Sequence, residues 1–179
     1  MGATAVSPPR AILFDRDGTL VTDVPYNPDP DKVRPVAGAR AAVEAVRAAG
    51  LACGVLTNQS GIGRGLLNRD QVEAVNARVD ELLGPFDVWE ICPHQPDDGC
   101  RCRKPQPGMI LAACRRLGLD PSEVAYIGDI GADVEAAAAA GASGVLVPTP
   151  VTRREEVEAA TLVAGNLAEA ISLLLEGRP

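Results

Sequence analysis

Five short apolar runs punctuate the chain: "AILF" (11–14), "LACGVL" (51–56), "FDVWEI" (86–91), "VAYIG" (124–128) and "GVLV" (144–147). A run as short and apolar as "AILF" suits a strand buried on both faces. Helical segments stand between these runs. "GARAAVEAVRAAG" (38–50) ends on Gly50, and "NRDQVEAVNARVDELLG" (68–84) has Asn68 as its N-cap and Gly84 as its stop. "PGMILAACRRLGL" (107–119) opens with proline near its first turn, and "ADVEAAAAAG" (132–141) is the next helix. Two late helices begin with capping-box spacings, Thr152 with Glu155 and Asn166 with Glu169. Strictly alternating β and α elements predict an α/β fold: a doubly wound parallel sheet between two helical layers, α/β/α. With 179 residues, no repeat and no low-complexity linker, the chain is expected to form a single domain over residues 1–179, with 1–9 as a loose tail.

The formal net charge of -7 argues against a nucleic-acid or anionic membrane surface. A bound phosphate would need local cations or a metal. No apolar run approaches the roughly 20 residues that span a bilayer. "MGATAVSPPR" lacks the basic and apolar blocks of a signal peptide, and Val6 breaks the myristoylation pattern. The cytoplasm is the expected address and a monomer the expected state. Cys53 and Cys114 lie in apolar or helical stretches and read as buried thiols.

Ligands of doubly wound sheets gather beyond the carboxyl ends of the strands. The chemically interesting residues of this chain stand there. The first run leads into "DRDGTL", with Asp15 and Asp17 flanking Arg16 and with Gly18 able to bend sharply. The second leads into "TNQSGIGRG", which begins with Thr57, and the fourth into "GDIGAD", with Asp129 and Asp133. Lys104 precedes the helix before the fourth run. Singly, each has an ordinary explanation: a turn aspartate, a hydroxyl-capped turn, a solvated lysine. Together they suit phosphoryl transfer. Clustered carboxylates need a hard divalent cation, and Mg²⁺ prefers carboxylate, water and phosphate oxygens. One carboxylate can attack phosphorus while a second shuttles the proton. A hydroxyl and an ammonium can hold the remaining phosphoryl oxygens.

"DRDGTL", Thr57, Lys104 in "CRKP" and "GD…D" at 128–133 resemble, in order and spacing, the four motifs of the haloacid dehalogenase (HAD) phosphohydrolase superfamily. The resemblance covers roughly residues 11 to 150 and implies a Rossmann-like, HAD-like fold. It implies Asp15 as nucleophile, Asp17 as general acid/base, and Thr57 and Lys104 as phosphoryl stabilisers. It implies Mg²⁺ on Asp15, the backbone carbonyl of Asp17, and Asp129, with Asp133 supporting the site without contacting metal.

"GIGRG" (61–65) is not a dinucleotide fingerprint, because Leu66 occupies the position of the last glycine. Its glycines suit a close approach to a phosphate or to the sheet edge, and Arg64 is either an added cation or an exposed side chain. The stretch "CPHQPDDGCRC" places Cys92, His94, Cys100 and Cys102 within eleven residues, with Pro93, Pro96 and Gly99 shaping a tight loop. Three cysteines and a histidine form a closed tetrahedral zinc set, which leaves no open position for catalysis. Residues 92–102 therefore read as a structural Zn²⁺ loop.

Such a loop before "CRKP", in a HAD-like chain without a large cap, looks like the D-glycero-D-manno-heptose-1,7-bisphosphate phosphatase group. Histidinol-phosphate phosphatases share the arrangement. Only about twenty residues separate Asp17 from the next helix, too few for a folded cap domain. The resemblance makes Asp23, Val24, Pro25 and Tyr26 substrate-side positions, with Asn58, Gln59 and Ser60. It also implies that Arg103 recognises substrate, and an arginine fork suits a second phosphate. Ile130 departs from the group, which commonly carries lysine there. The expected activity is Mg²⁺-dependent removal of the C7 phosphate from a small phosphorylated sugar, the heptose 1,7-bisphosphate. The alternatives are a histidinol-phosphate or other small phosphomonoester phosphatase, or a silent zinc-stabilised binding protein.

Overall fold

The computed structural model describes residues 8–176. Most of the expected tail, residues 1–7, and Gly177 of the last expected helix lie outside the described residues. Pro9 is buried and Arg10 donates its N–H to the Glu123 carbonyl at 2.7 Å, so the backbone is fixed before the first strand begins.

Five parallel strands form one sheet in the order β3-β2-β1-β4-β5. They are β1 (Ala11–Phe14), β2 (Ala52–Asn58), β3 (Val88–Cys92), β4 (Val124–Gly128) and β5 (Ser143–Leu146). The central β1 pairs with β2 from Ala11↔Ala52 and with β4 from Ala11↔Val124. Its side chains alternate between two cores. Ile12 and Phe14 join Val43 and Val46 of α1 (Ala39–Ala48), Val75 and Val79 of α3 (Arg69–Leu83) and Ile171 of α7 (Leu167–Leu175). Ala11 and Leu13 join Met109 and Ile110 of α4 (Gly108–Leu117) and Ala136 and Ala137 of α5 (Gly131–Ala140). Burial on both faces explains why these strands read as unbroken apolar runs. The expected three-layer α/β/α arrangement results.

Helix α3 shows how local sequence sets these elements. Val72, Val75, Val79 and Leu83 fall on its buried face. Asn68 Oδ1 accepts from Gln71 N–H at 2.8 Å while Gln71 Oε1 accepts from Asn68 N–H at 2.9 Å, a reciprocal box that satisfies two helix-end donors.

Several boundaries depart from expectation. β2 runs on to Asn58 because Thr57 and Asn58 pair with Ile91 and Cys92, so Thr57 lies within the strand, one residue before its end, instead of following it. β3 starts at Val88 because the Asp87 carboxylate accepts the Cys53 N–H at 2.8 Å, replacing a ladder bond. Ser60–Gly63 forms a single helical turn, α2, where a loop was expected. The box of Thr152 with Glu155 does not form. Helix α6 (Arg154–Ala159) is capped through Arg153 N–H on Glu156 Oε2 at 2.9 Å, and the Thr152 hydroxyl turns to the Asp129 carbonyl at 2.7 Å. Asn166 does cap α7, whereas Glu169 reaches back to the N–H of Gly165, one residue beyond the expected partner.

Between Asp17 and α1 the chain forms one 3-10 turn, Pro30–Lys32, and a β-bridge from Val21 to Pro35. No large cap domain is inserted there. The chain moves outward from β1 to β2 and β3, then crosses back to β4 and β5. The strand order reverses between β1 and β4, which is where ligands of such sheets bind.

Candidate active site

Asp15 stands one residue beyond β1, its N–H extending the ladder to Ile127 O at 2.9 Å. Asp129 stands one residue beyond β4, across the reversal point. The sharp turn after Asp17 is made by Gly18 at φ 82°, and a Cβ there would collide with the Asp129 carboxylate. Glycine thus serves two purposes at this position, the left-handed backbone and the close approach of the loop to Asp129. Thr19 donates its hydroxyl to Asp129 Oδ1 at 3.2 Å.

Lys104 is brought in from the loop before α4 and is 5% exposed. Its Nζ donates to Asp15 Oδ1 at 2.9 Å, Asp133 Oδ1 at 2.7 Å and the Tyr126 hydroxyl at 2.7 Å. Burial alone would strip the Lys104 proton, but Asp133 and Asp15 hold it and push its pKa above the usual lysine range. Asp133 is fully buried, and its two oxygens accept from Lys104, Tyr126, and the N–H groups of Asp129 and Ile130. Its oxygens are thereby committed to holding the loop.

Asp15, Asp129 and Asp133 each offer an oxygen within 4.8 Å of the others. Burial pushes the Asp15 carboxyl well above the usual range, and Asp133 and Asp129 push the same way against the pull of Lys104. Burial and Asp133 likewise raise Asp129, which offers an oxygen within 4.8 Å of one of Asp15. One ammonium among three buried carboxyls leaves negative charge uncompensated. A hard divalent cation held by Asp15 and Asp129 would supply the balance, so the donor set fits Mg²⁺.

The Asp17 side chain is not in that cluster. Arg16, 3% exposed, grips it with Nε on Oδ1 at 3.1 Å and Nη2 on Oδ2 at 2.9 Å. The Gln59 amide donates to the same Oδ2 at 3.0 Å and to Thr57 Oγ1 at 2.9 Å. With its side chain so engaged, Asp17 has its backbone carbonyl left for a metal.

The other substrate-side positions divide. Tyr26 is exposed and Asp23 largely so, the partial covering of the Asp23 carboxyl and then the nearby Asp17 raising it. Pro25 is exposed, while Val24 and Ser60 are half-buried. Tyr26 has a φ of 50°, and its ring lies over Gly61, where a Cβ would come within 2.8 Å of the ring carbon Cδ1. Gln59 is 7% exposed, and its amide is taken by Asp17 and Thr57. Asn58 turns to the Lys104 backbone, accepting its N–H at 3.3 Å. In "GIGRG", the N–H of Gly63 meets Pro93 O at 2.9 Å, tying the turn to the cysteine-rich loop, and Arg64 is exposed.

Cys92 ends β3, and the loop brings His94, Cys100 and Cys102 around it. Cys92 and Cys102 sulfurs lie 3.0 Å apart, His94 Nδ1 and Cys102 Sγ 3.2 Å, and Cys100 stands 3.7 Å from both other sulfurs. Ligand edges of ~3.7 Å are expected around tetrahedral zinc from its ordinary metal–sulfur bond length. Burial and its sulfur neighbours push the Cys92 thiol up, while at Cys100 burial pushes up but is outweighed by several hydrogen bonds together, from the N–H groups of Arg103, 3.3 Å from Sγ, and Cys102 and from the other two sulfurs, which favour the thiolate. Packed sulfurs cannot all ionise without a cation, and the set fits Zn²⁺. Arg103 follows directly. It helps line a cavity of about 400 Å³ with Pro96, Cys100 and Gln106, and its Nη1 donates to His94 O at 3.4 Å.

Sequence reasoning missed Asn76, Tyr126, Thr19 and Thr152. Asn76 carried a signal, a polar residue on the apolar side of α3 between Val75 and Val79. So did Tyr126, the one side-chain hydroxyl in "VAYIG". Thr152 lay hidden inside a pattern that suggested a helix cap.

The HAD-hydrolase-like family model matches residues 101–170. The D-glycero-beta-D-manno-heptose-1,7-bisphosphate 7-phosphatase of Pseudomonas aeruginosa is 37% identical over 173 residues, 92% of this chain and 97% of its own. The Escherichia coli K12 protein of the same name is 37% identical, with 89% and 90% covered. Among solved structures, D,D-heptose 1,7-bisphosphate phosphatase from B. bronchiseptica, complexed with magnesium and phosphate, superposes with a TM-score of 0.83 at 33% identity, covering 94% of this chain and 99% of that one.

Proposed function

Because the chain belongs to the HAD-like D-glycero-beta-D-manno-heptose-1,7-bisphosphate 7-phosphatase family, we propose that it hydrolyses the C7 phosphate of a D-glycero-D-manno-heptose 1,7-bisphosphate through an aspartyl-phosphate. The observation that carries this reading is the placement of Asp15 at the strand reversal, with Lys104 on one of its oxygens at 2.9 Å and Asp129 beside it.

In this reading an Asp15 oxygen attacks phosphorus. The P–O7 bond breaks, and Asp17 gives its proton to the departing O7. Asp17 then takes a proton from water, which attacks the aspartyl-phosphate, frees phosphate and restores Asp15. Thr57 accepts from Gln59, so its own proton points elsewhere and can serve a phosphoryl oxygen with Lys104. Mg²⁺ held by Asp15, the Asp17 carbonyl and Asp129 would neutralise charge on the phosphoryl group. Zn²⁺ held by Cys92, His94, Cys100 and Cys102 would fix the loop that ends in Arg103 and Lys104. Arg103 recognises the second phosphate. Asp23, Val24, Pro25, Tyr26, Asn58, Gln59 and Ser60 form the substrate side, and for Gln59 and Asn58 this works through the residues they hold. The chain acts as a single-domain, cytoplasmic monomer.

The test compares kcat/KM for the two anomers of heptose 1,7-bisphosphate with that for histidinol phosphate, with and without Mg²⁺. Bisphosphate preferred by at least about tenfold is expected, the discrimination that one extra charge-assisted phosphate contact supplies. Better turnover of histidinol phosphate would move the chain to that activity. Absence of phosphate release from either substrate would favour the silent binding protein.

A further inference from the structure

Asn76 lies 60 residues from Arg16 in sequence, yet its Oδ1 accepts from Arg16 Nη1 at 2.7 Å. It is 7% exposed and sits on the face of α3 that carries Val72, Val75 and Val79 into the core. An amide there costs desolvation unless it is bonded. Arg16 is likewise buried at 3% exposure, and burying a guanidinium costs more still unless it is paired. A packed apolar pair would fill the same space without either cost. Two buried polar side chains in contact therefore call for a purpose, and the contact supplies one.

The guanidinium is planar and presents its donors in a fixed fork. Two of its edges are used. Nε and Nη2 face Asp17, at 3.1 and 2.9 Å, and Nη1 faces Asn76. A residue that fixes one edge of the plane thereby fixes the other. Asp17 meets a second constraint from Gln59, whose amide joins Asp17 Oδ2 to Thr57. The carboxyl proposed to carry the leaving-group proton is thus held from α3 on one side and from β2 on the other.

We propose that Asn76 is a positioning residue for the Asp17 proton transfer, acting through Arg16. This deepens the function proposed above and rests on Asp17 being its acid/base. Asn76 touches neither substrate nor phosphoryl group. It sets the tilt of the Arg16 plane and so the aim of the Asp17 carboxyl at the leaving oxygen. A loss of aim by about an ångström is enough to slow such a step strongly.

The test exploits leaving-group chemistry. A sugar alkoxide needs a proton to depart, whereas p-nitrophenolate leaves without one. The value of kcat/KM reports events through phosphorylation of Asp15, so the ratio of kcat/KM for the heptose bisphosphate to that for p-nitrophenyl phosphate reads proton donation. The ratio is taken within one preparation, so partial unfolding cancels. For Asn76→Leu we expect the ratio to fall by about tenfold, a fraction of what complete loss of a general acid costs. Asn76→Asp keeps an acceptor for Nη1 and should restore the ratio to within about threefold of wild type, a difference below 1 kcal/mol. Asp17→Asn is the control and should depress the ratio further. If Asp17→Asn depresses it and Asn76→Leu does not, the role of Asn76 is refuted while the proposed function stands. If Asp17→Asn itself leaves the ratio unchanged, the acid assignment fails and takes the Asn76 proposal with it. A ratio that falls equally in Asn76→Leu and Asn76→Asp would also overturn the proposal, because an acceptor would then be irrelevant.

Discussion

Lys104 Nζ and Asp15 Oδ1 lie 2.9 Å apart across 89 residues of sequence, and both groups are buried. The ammonium also meets Asp133 at 2.7 Å, so a single cation joins the carboxylate proposed as the nucleophile to the one that holds the β4 loop. Removing one partner of such a pair leaves the others charged and dry, a loss larger than the pair is worth.

Lys104→Met should therefore lower both stability and turnover. We expect about 3 kcal/mol or more of destabilisation, as when a buried pair loses one partner. The drop in kcat should be at least about a hundredfold, the usual cost of losing one group that stabilises transition-state charge. Urea unfolding and steady-state phosphate release measure the two. Wild-type stability in this variant would mean that Asp133 and Asp15 do not depend on Lys104.

The raised carboxyls fix the sign of a pH dependence. Asp15 and Asp129 sit above their unfolded value of 3.8, so the folded state binds more protons than the unfolded one once pH passes that value. Stability of metal-free protein should fall as pH rises from there through their folded pKa values. Mg²⁺ competes with those protons. Its thermal stabilisation should be larger at about pH 8 than at about pH 5.5, since binding to the native state adds stability that grows with the logarithm of the ligand concentration relative to Kd, and Kd falls as the carboxyls lose their protons. Asp129→Asn should flatten the slope and shrink the Mg²⁺ effect. Equal Mg²⁺ increments at both pH values in the wild type would contradict this account.

Thr152 donates its hydroxyl to the carbonyl of Asp129 at 2.7 Å, and Glu156 accepts the Gly131 N–H at 3.1 Å. Thr152→Val removes the hydroxyl at nearly constant volume. The hydrogen bond is worth about 1 kcal/mol, which corresponds to about a fivefold rise in the Mg²⁺ concentration needed for half-maximal thermal stabilisation. An unchanged Mg²⁺ titration would show that Asp129 is positioned without it.

For the cysteine-rich loop, elemental analysis should find about one zinc per chain. Cys100→Ala removes both a proposed zinc ligand and the acceptor of the Arg103 N–H. Zinc content and melting temperature should fall together, with kcat/KM falling because Arg103 and Lys104 leave the end of the loop. Zinc-free protein with full activity and unchanged melting would refute the link.

Much of this molecule was legible as text because the relevant signals are local. Strands buried on both faces must be apolar throughout, so "AILF" and "VAYIG" announced a parallel sheet, and the residues that follow them, Asp15 and Asp129, had to meet at one edge. Ligand spacing in residues 92–102 announced a metal clamp for a similar reason, since a short loop can close on one ion. Contacts between distant segments carry no such spacing. That Arg16 turns to Asn76, that Gln59 ties Thr57 to Asp17, and that Thr152 serves the Asp129 carbonyl instead of capping α6 depend on which elements the strand order sets side by side. A buried donor or acceptor takes the partner that packing puts within about 3 Å, and packing is a property of the whole fold.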